Sequence, residues 1–295
     1  MSERGQDSER IFRASISVAG RNLYRGIDLP MGVNRLLCSK AIALVLGIIS
    51  IGISGKLCHA AALPPSTAIP VQFSHTLEAG KARQGDSVSA RTMQVVLLPG
   101  GQVLPKGASV VGHVVDSRPF AFDPTPYAMQ QPSYLSIHFD KIMANGVELS
   151  LNVSVRALAN TISASEASTP HYLDETDSLR TMVLIGGDQF SRFDKELMSS
   201  DGDVVGYIRK QGVFARLISN TYMNRNASFH CDSTTTEQSM AIFSASACGL
   251  YGFDSIYMPD NGSKNHGTFR LESRRHTVKL YAGSAALLEV NGPQP

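Results

Sequence analysis

Histidine, cysteine, serine and paired carboxylates are the side chains best suited to chemistry, and in this 295-residue chain their spacing argues against most of it. Beyond residue 62 the histidines stand at 75, 113, 138, 171, 230, 266 and 276. No two share the i, i+4 spacing that aims both imidazoles at zinc from one helix face, and no H-E-x-x-H occurs. His113 and His138 alternate with apolar residues, the pattern of a strand's solvent face. A serine hydrolase of the elbow type needs G-x-S-x-G to expose its nucleophile on a strained turn, and the stretch Ser244 to Gly249 lacks it. Aspartic chemistry needs two carboxylates in tight turns, and neither Asp-Thr-Gly nor Asp-Ser-Gly is present. Asp201 and Asp203 flank Gly202 and could face calcium, but further oxygens and a distal glutamate are missing, so a plain turn entering a strand is expected. Near residue 54 the sequence looks like the end of a phosphate loop, yet Ser50 replaces its first glycine and Leu57 its magnesium-binding hydroxyl. No catalytic residue, metal ligand or cofactor is therefore assigned.

The cysteines sort with a leader. Ala41 to Ile53 is an uninterrupted apolar run, about 20 Å as helix against a hydrocarbon core of about 30 Å. Arg35 and Lys40 precede it, and Ala60-Ala61-Ala62 follow with small side chains, so the sequence predicts a signal peptide over residues 1–62, cleaved between Ala62 and Leu63. Met31 is an alternative start. The expected location is periplasmic or extracellular; the alternative is an uncleaved single-pass inner-membrane anchor, the only route by which the chain would meet a membrane. Gly55-Lys56-Leu57 before Cys58 do not suit a lipobox. Cys38 and Cys58 leave with the leader, and Cys231 and Cys248, a pair in an exported chain, are expected to form a disulfide. The leader holds eight of 27 basic and four of 25 acidic residues, leaving 27 − 8 = 19 against 25 − 4 = 21. Such a balance gives no electrostatic footprint for nucleic acid.

The remaining residues break into short apolar segments separated by glycine and proline, with no heptads and no long amphipathic helix, so the expected class is all-β: a barrel-like or sandwich module over 63–160, a linker over 161–178 and a second β-rich region over 179–295. Leu135, Ile137 and Phe139 alternate with polar residues ahead of Asn145-Gly146, the strongest short hairpin signal. In the segment 95–116, Pro99 and Pro105 cannot donate to a central ladder, and Gly100, Gly101, Gly107 and Gly112 allow unusual dihedrals; together they predict a corner where the sheet bends and re-enters pairing. Residues 191–200 are expected as a short helix, 203–219 as a hairpin, 222–238 as a polar loop, 240–246 as a strand, 248–253 as a glycine-aromatic turn, and 267–291 as two or three strands.

Leu104-Pro105-Lys106-Gly107 with Val110-Val111-Gly112, and later Lys141 to Leu149 around Asn145-Gly146, resemble two turn elements of the C-terminal domain of the VirB10/TrbI family of type IV secretion proteins, the resemblance spanning residues 70–156. The chain departs from that family in lacking its long proline-rich segment and apolar antenna helix, and is more similar to exported bacterial β-domain proteins of unknown function. The resemblance implies a barrel-like β fold in the cell envelope.

Two aromatic clusters complete the inventory: Phe120, Phe122 and Tyr127 in a proline-rich stretch, and Tyr251, Phe253 and Tyr257 beyond Cys248. Either they cap the end of a barrel, or they grip a glycan or partner chain, a use weakened for glycans by the absence of tryptophan. The leading expectation is an exported, non-catalytic β-rich envelope protein that binds another envelope protein or polymer. The alternatives are a secreted hydrolase whose site gathers dispersed residues, and a membrane-anchored subunit of a secretion complex.

Overall fold

Short apolar runs punctuated by glycine and proline do form strands. The computed structural model describes residues 63–98, 101–171, 180–191, 193–225, 227–262 and 267–292; Ala60, Ala62, Pro99 and Gly100 lie outside the described residues. In chain order the elements are β1 (Ala68–Phe73), β2 (Leu77–Glu78), β3 (Ser87–Thr92), β4 (Val96–Leu97), β5 (Val103–Leu104), β6 (Ser109–Arg118), β7 (Ser133–Ala144), β8 (Val147–Ser150), β9 (Val153–Ala159), α1 (Thr161–Ala167), β10 (Met182–Val183) and β11 (Gln189–Phe190). They continue as β12 (Glu196–Met198), β13 (Val204–Arg209), β14 (Gly212–Arg216), β15 (Asn220–Asn224), β16 (Ala227–Cys231), β17 (Glu237–Ser239), β18 (Gly249–Tyr251), β19 (Tyr257–Asp260), β20 (Thr268–Ser273), β21 (Lys279–Leu280) and β22 (Ala285–Val290). The protein is all-β with few helical residues.

The main sheet runs β18-β9-β22-β1-β3-β6-β7-β20-β19, with β8 added on β7. It curls into a nearly closed barrel: the Val155 amide donates to the Asn261 carbonyl at 2.7 Å, linking β9 to the chain that follows β19. Alternation sends Val88 and Ala90 of β3, Val110 and Val114 of β6, and Leu135, Ile137 and Phe139 of β7 into one core, where Phe139 lies 6.0 Å from both Phe73 and Phe269. Each large side chain so buried contributes about 1.5–3 kcal/mol. Leu63, the expected first residue after cleavage, is buried against this core.

Asn145 and Gly146 both have positive φ, 52° and 77°, and join β7 to β8, so the hairpin stands where the Asn-Gly signal puts it. The corner is there too. Beyond Thr92 the chain leaves the main ladder, and β4 and β5 pair only with each other before β6 re-enters the sheet. Gly101 (φ 77°) and Gly107 (φ 82°) take left-handed turns there. The turn after Pro105 is pinned to β3: the Gly107 amide donates to the Thr92 carbonyl at 2.8 Å, and the Thr92 hydroxyl donates to the Pro105 carbonyl at 2.7 Å. Gly112 differs from expectation. It is no turn but a mid-strand residue at a register shift between β6 and β7, where a Cβ would lie 2.1 Å from the His138 carbonyl oxygen. Close backbone approach, not a positive φ, demands glycine there.

A second sheet, β10-β11-β12-β13-β14-β17, covers the outside of the barrel. Leu197, Val213 and Ala215 meet Ala157, Ala159, Ala285 and Leu287, the outward residues of β9 and β22, which explains why β9 is buried on both faces. Buried amides align the layers: Gln94 exchanges two hydrogen bonds with the Val213 backbone, at 2.8 and 3.0 Å, and Gln238 accepts from the Ala68 amide at 2.9 Å.

Several local expectations give way to tertiary pairing. Because β18, β20 and β22 pair within the same sheet as β1, β3, β6, β7 and β9, the regions 63–160 and 179–295 share one core. The expected linker begins with α1, capped where the Asn160 side chain accepts from the Ser163 amide at 2.8 Å; residues 172–179 lie outside the described residues. Within the expected helix at 191–200, Glu196–Met198 form strand β12 instead, held by pairing to β13. The expected polar loop holds the β15–β16 hairpin, whose apolar glue is the Tyr222–Phe229 ring pair at 5.0 Å. Residues 240–246 form turns, whereas the expected turn at 248–253 contains β18, made a strand by parallel pairing to β9. Among the described residues no helix is long and apolar enough to cross a membrane.

Candidate binding groove

Four segments meet at the end of the barrel opposite the corner. The first is the loop 119–132 between β6 and β7. Its prolines keep it out of the strand ladders and its regular structure is one 3-10 turn, Tyr127–Met129, so its other backbone groups need other partners. Gln130 supplies them: its buried amide donates to the carbonyls of Asp123 and Thr125 at 2.6 and 2.7 Å, while the Thr125 amide donates to the Asp123 carboxylate at 2.8 Å. The Thr125 hydrogen bonds hold the Asp123 carboxyl below its ordinary range. Two arginines clamp the outside, Arg118 donating to the Pro132 carbonyl at 2.7 Å and Arg274 to the Ala128 carbonyl. The result is a self-bonded loop that holds Phe122, Met129 and Tyr127 outward, 79%, 69% and 42% exposed.

The second segment, 251–257, turns through Gly252 and Ser255, both at positive φ. Tyr257 is buried, and its hydroxyl accepts from Arg274 Nε at 3.4 Å; burial pushes its phenol above the ordinary range. Phe253 is half-buried against the barrel core. The third is the β20–β21 connection, Arg274 to Thr277. The Arg275 guanidinium sits 5.4 Å from the Tyr127 ring centroid, a cation–π contact, and the Thr277 hydroxyl accepts from the Phe120 amide at 3.2 Å. The fourth is the β15–β16 hairpin, which brings Tyr222 and Arg225; the Asn224 amide reaches the Ile256 carbonyl at 3.4 Å, and Gly249 exists to admit the Tyr222 ring, since a Cβ there would stand 1.9 Å from it.

Between these segments lie three adjoining cavities. One of about 400 Å³ is walled by Phe120, Phe122, Tyr127 and Arg275; one of about 330 Å³ shares Tyr127 and Arg275 with it and adds Tyr222, Arg225 and Phe253; one of about 510 Å³ shares Phe253 and Asp254 with the second and adds Lys279 and Tyr281. Five of the six aromatic candidates thus converge from segments about 130 residues apart in sequence. Tyr251 does not join them. Its hydroxyl accepts from the Cys248 amide at 3.0 Å, and its ring faces a separate cavity beside α1, near Glu166 and His171. Phe253 packs against the barrel core and Tyr257 is buried, while Phe122 and Tyr127 face outward. Sequence reading missed Gln130, Tyr222, Arg225, Arg274 and Arg275; only the adjacent arginine pair between two strand patterns hinted at a charged turn.

The other candidate chemistry stays apart from this groove. His113 Nδ1 lies 3.0 Å from the Asp140 carboxylate, and the rings of His113 and His138 are 5.4 Å apart, on the open outer face of β6 and β7. Burial holds His138 below its ordinary value; Asp140 opposes this and His113 adds to it. Among the described residues no three His, Cys, Asp or Glu side chains are placed to hold a metal ion. Asp201, Gly202 and Asp203 form a turn closed by the Gly202 amide on the Ser199 carbonyl at 3.1 Å, leading into β13.

Cys231 and Cys248 are bonded, joining β16 to the start of β18. Beside them Arg156 is 1% exposed and was not singled out by sequence. Its guanidinium donates to the carbonyls of Ile218 and Asp232, both at 2.6 Å, and of Ala247 at 3.1 Å, and lies 3.5 Å from Glu289 Oε2. Its place among backbone carbonyls makes it a tie between β9 and the disulfide-closed segment. Comparison of the chain with family models, curated proteins and solved structures gives no match.

Proposed function

We propose that this protein is an exported, non-catalytic module of the cell envelope that binds another envelope component through the groove at the barrel end. The observation that carries the reading is the loop 119–132, which spends a buried glutamine and two arginines on holding apolar side chains out of the protein. Ordering such a loop costs conformational entropy. A rigid platform with Phe122 and Met129 outward fits recognition, because pre-ordering lowers the cost of binding. The disulfide supports export, being a bond that persists in oxidising compartments. Of the turns that carry the VirB10/TrbI resemblance, Asn145-Gly146 closes a hairpin on the barrel sheet and Pro105-Lys106-Gly107 leads from β5 back into that sheet; both support the reading of an envelope β module.

A photo-crosslinking amino acid at Phe122 or Tyr127, in the native host, tests this reading. Val147, 55% exposed near the far end of β7, is the control. A discrete adduct from the groove positions and none from the control is expected. Equal labelling from all three positions would count against a specific surface.

A further inference from the structure

We infer that the groove takes a short segment of a partner protein in which an apolar side chain stands beside a carboxylate. The apolar group enters the cavity of about 400 Å³ under Phe122, and the carboxylate meets Arg275. This rests on the binding-module reading above.

Composition speaks first. Over residues 119–132 the loop has no Lys, Arg or Glu, and its one acid, Asp123, is engaged by Thr125. Aromatic and methionine side chains outward, with arginine at the margin and lysine and glutamate absent, is the make-up of the centre of a protein–protein contact. The loop is also held from three sides, by Gln130, Arg118 and Arg274, so little order remains to be imposed on docking.

Charge speaks second. Arg225 and Arg275 are exposed at the cavity of about 330 Å³ and make no ion pair among the described residues, where Asp254 is the one carboxylate in that wall. The Arg275 guanidinium lies 5.4 Å from the Tyr127 ring centroid and the residue is exposed, so its N–H groups can meet a carboxylate, the ligand for which arginine is best suited. A peptide bringing an acid next to a hydrophobic anchor answers both features at once.

Other polymers fit less well. A glycan strand is gripped by flat rings laid open, tryptophan above all, and this chain has no tryptophan; the two most exposed large apolar side chains of the loop are a phenylalanine and a flexible methionine. A nucleic acid or an anionic membrane requires a dense basic cluster, which these few arginines do not form.

The test uses the intact, disulfide-bonded protein. A random dodecapeptide phage library is selected on it, and enriched peptides are synthesised with fluorescein for anisotropy titration. Enriched sequences are expected to hold Asp or Glu within a few positions of Leu, Ile or Phe. Phe122→Ser should weaken binding about thirtyfold, as loss of a central anchor does. Arg275→Glu should weaken it about tenfold or more, and Val147→Ser should change nothing. Met129→Ser, on the same loop but outside the cavity walls, should weaken binding less than Phe122→Ser, and unchanged melting curves confirm that each variant folds. No enrichment, enriched peptides without a carboxylate, or binding indifferent to Phe122 and Arg275 would overturn the proposal. So would tight binding of polyuronate that is lost in Arg275→Glu but kept in Phe122→Ser, which assigns the groove to an anionic glycan. A crosslink from Phe122 in the host without any selected peptide would remove the linear-peptide proposal while leaving the binding module standing; loss of both signals would remove both.

Discussion

Replacing Arg156 by methionine isolates the tie between the barrel and the disulfide-closed segment. Methionine keeps an unbranched apolar body in the buried position but removes the donors to Ile218, Asp232 and Ala247 and the cation beside Glu289. Three carbonyls and a partly buried carboxylate then lose their partner. Removing one member of a buried pair costs about 3–5 kcal/mol, because the remaining charge is left uncompensated, and that is the loss expected here. The assay is urea unfolding followed by circular dichroism, suited to a chain without tryptophan. Glu289 supplies an internal check. Burial raises its pKa and Arg156 opposes the rise, so in the variant the carboxyl moves higher still. A raised acid binds a proton in the folded state that the unfolded chain, near the ordinary 4.5, does not yet hold. The deficit of Arg156→Met should therefore shrink as pH falls from 7 towards 4.5, and Glu289→Gln in the same background should recover at least about 1 kcal/mol. A loss below about 1 kcal/mol, or a deficit independent of pH, would refute the view of Arg156 as a structural tie.

Three further outcomes follow from other parts of the structure. Replacing Cys231 and Cys248 together by alanine should cost about 3 kcal/mol on the chain-entropy estimate for a separation of 17 residues, read as a lower urea midpoint; intact mass of the native protein should rise by two hydrogens on reduction and begin at Leu63 if the leader is removed. Gly107→Val should lower thermal stability by at least about 1 kcal/mol through its φ of 82° alone, since the space around it is open, while Gly112→Ala should cost more through its clash with the His138 carbonyl; an unchanged melting temperature for Gly107→Val would count against the corner. His138 prefers its neutral form in the folded state, so the stability it contributes is present above about pH 6.5 and is lost as pH falls through its lowered pKa; His138→Gln should flatten that part of a pH–stability curve measured by thermal melts.

Where local chemistry dictated structure, the sequence was sufficient. Asn145-Gly146 allows the two left-handed residues a tight hairpin needs, the Pro105 and Gly107 pair bends the sheet, and the two cysteines beyond residue 62 pair with each other. It failed where partners far along the chain decide. β18 is a three-residue strand only because β9 lies beside it, and residues 240–246, apolar enough for a strand, serve instead as buried turns whose Phe243 fills the second core. Arg156 reads as an ordinary basic residue until carbonyls from three segments far along the chain are seen around it. The groove was half legible: both aromatic clusters stood out by composition, but their meeting depends on the path of β7 and β20, and the adjacent Arg274 and Arg275 hinted only at a charged turn. Tyr251 shows the limit of that signal, being of the same cluster in sequence and turned into another cavity in space.

The claim at the centre is that the exposed side chains of loop 119–132 and Arg275 hold a partner in the envelope. It is tested most directly by the size of the complex that the protein forms in a mild-detergent envelope extract of its host, compared between the native chain and one carrying Phe122→Ser and Arg275→Glu. The native protein should migrate in a larger assembly and the double variant as the free chain, with equal melting curves for the two purified proteins. Migration of both at the same size, whether large or small, would contradict the account.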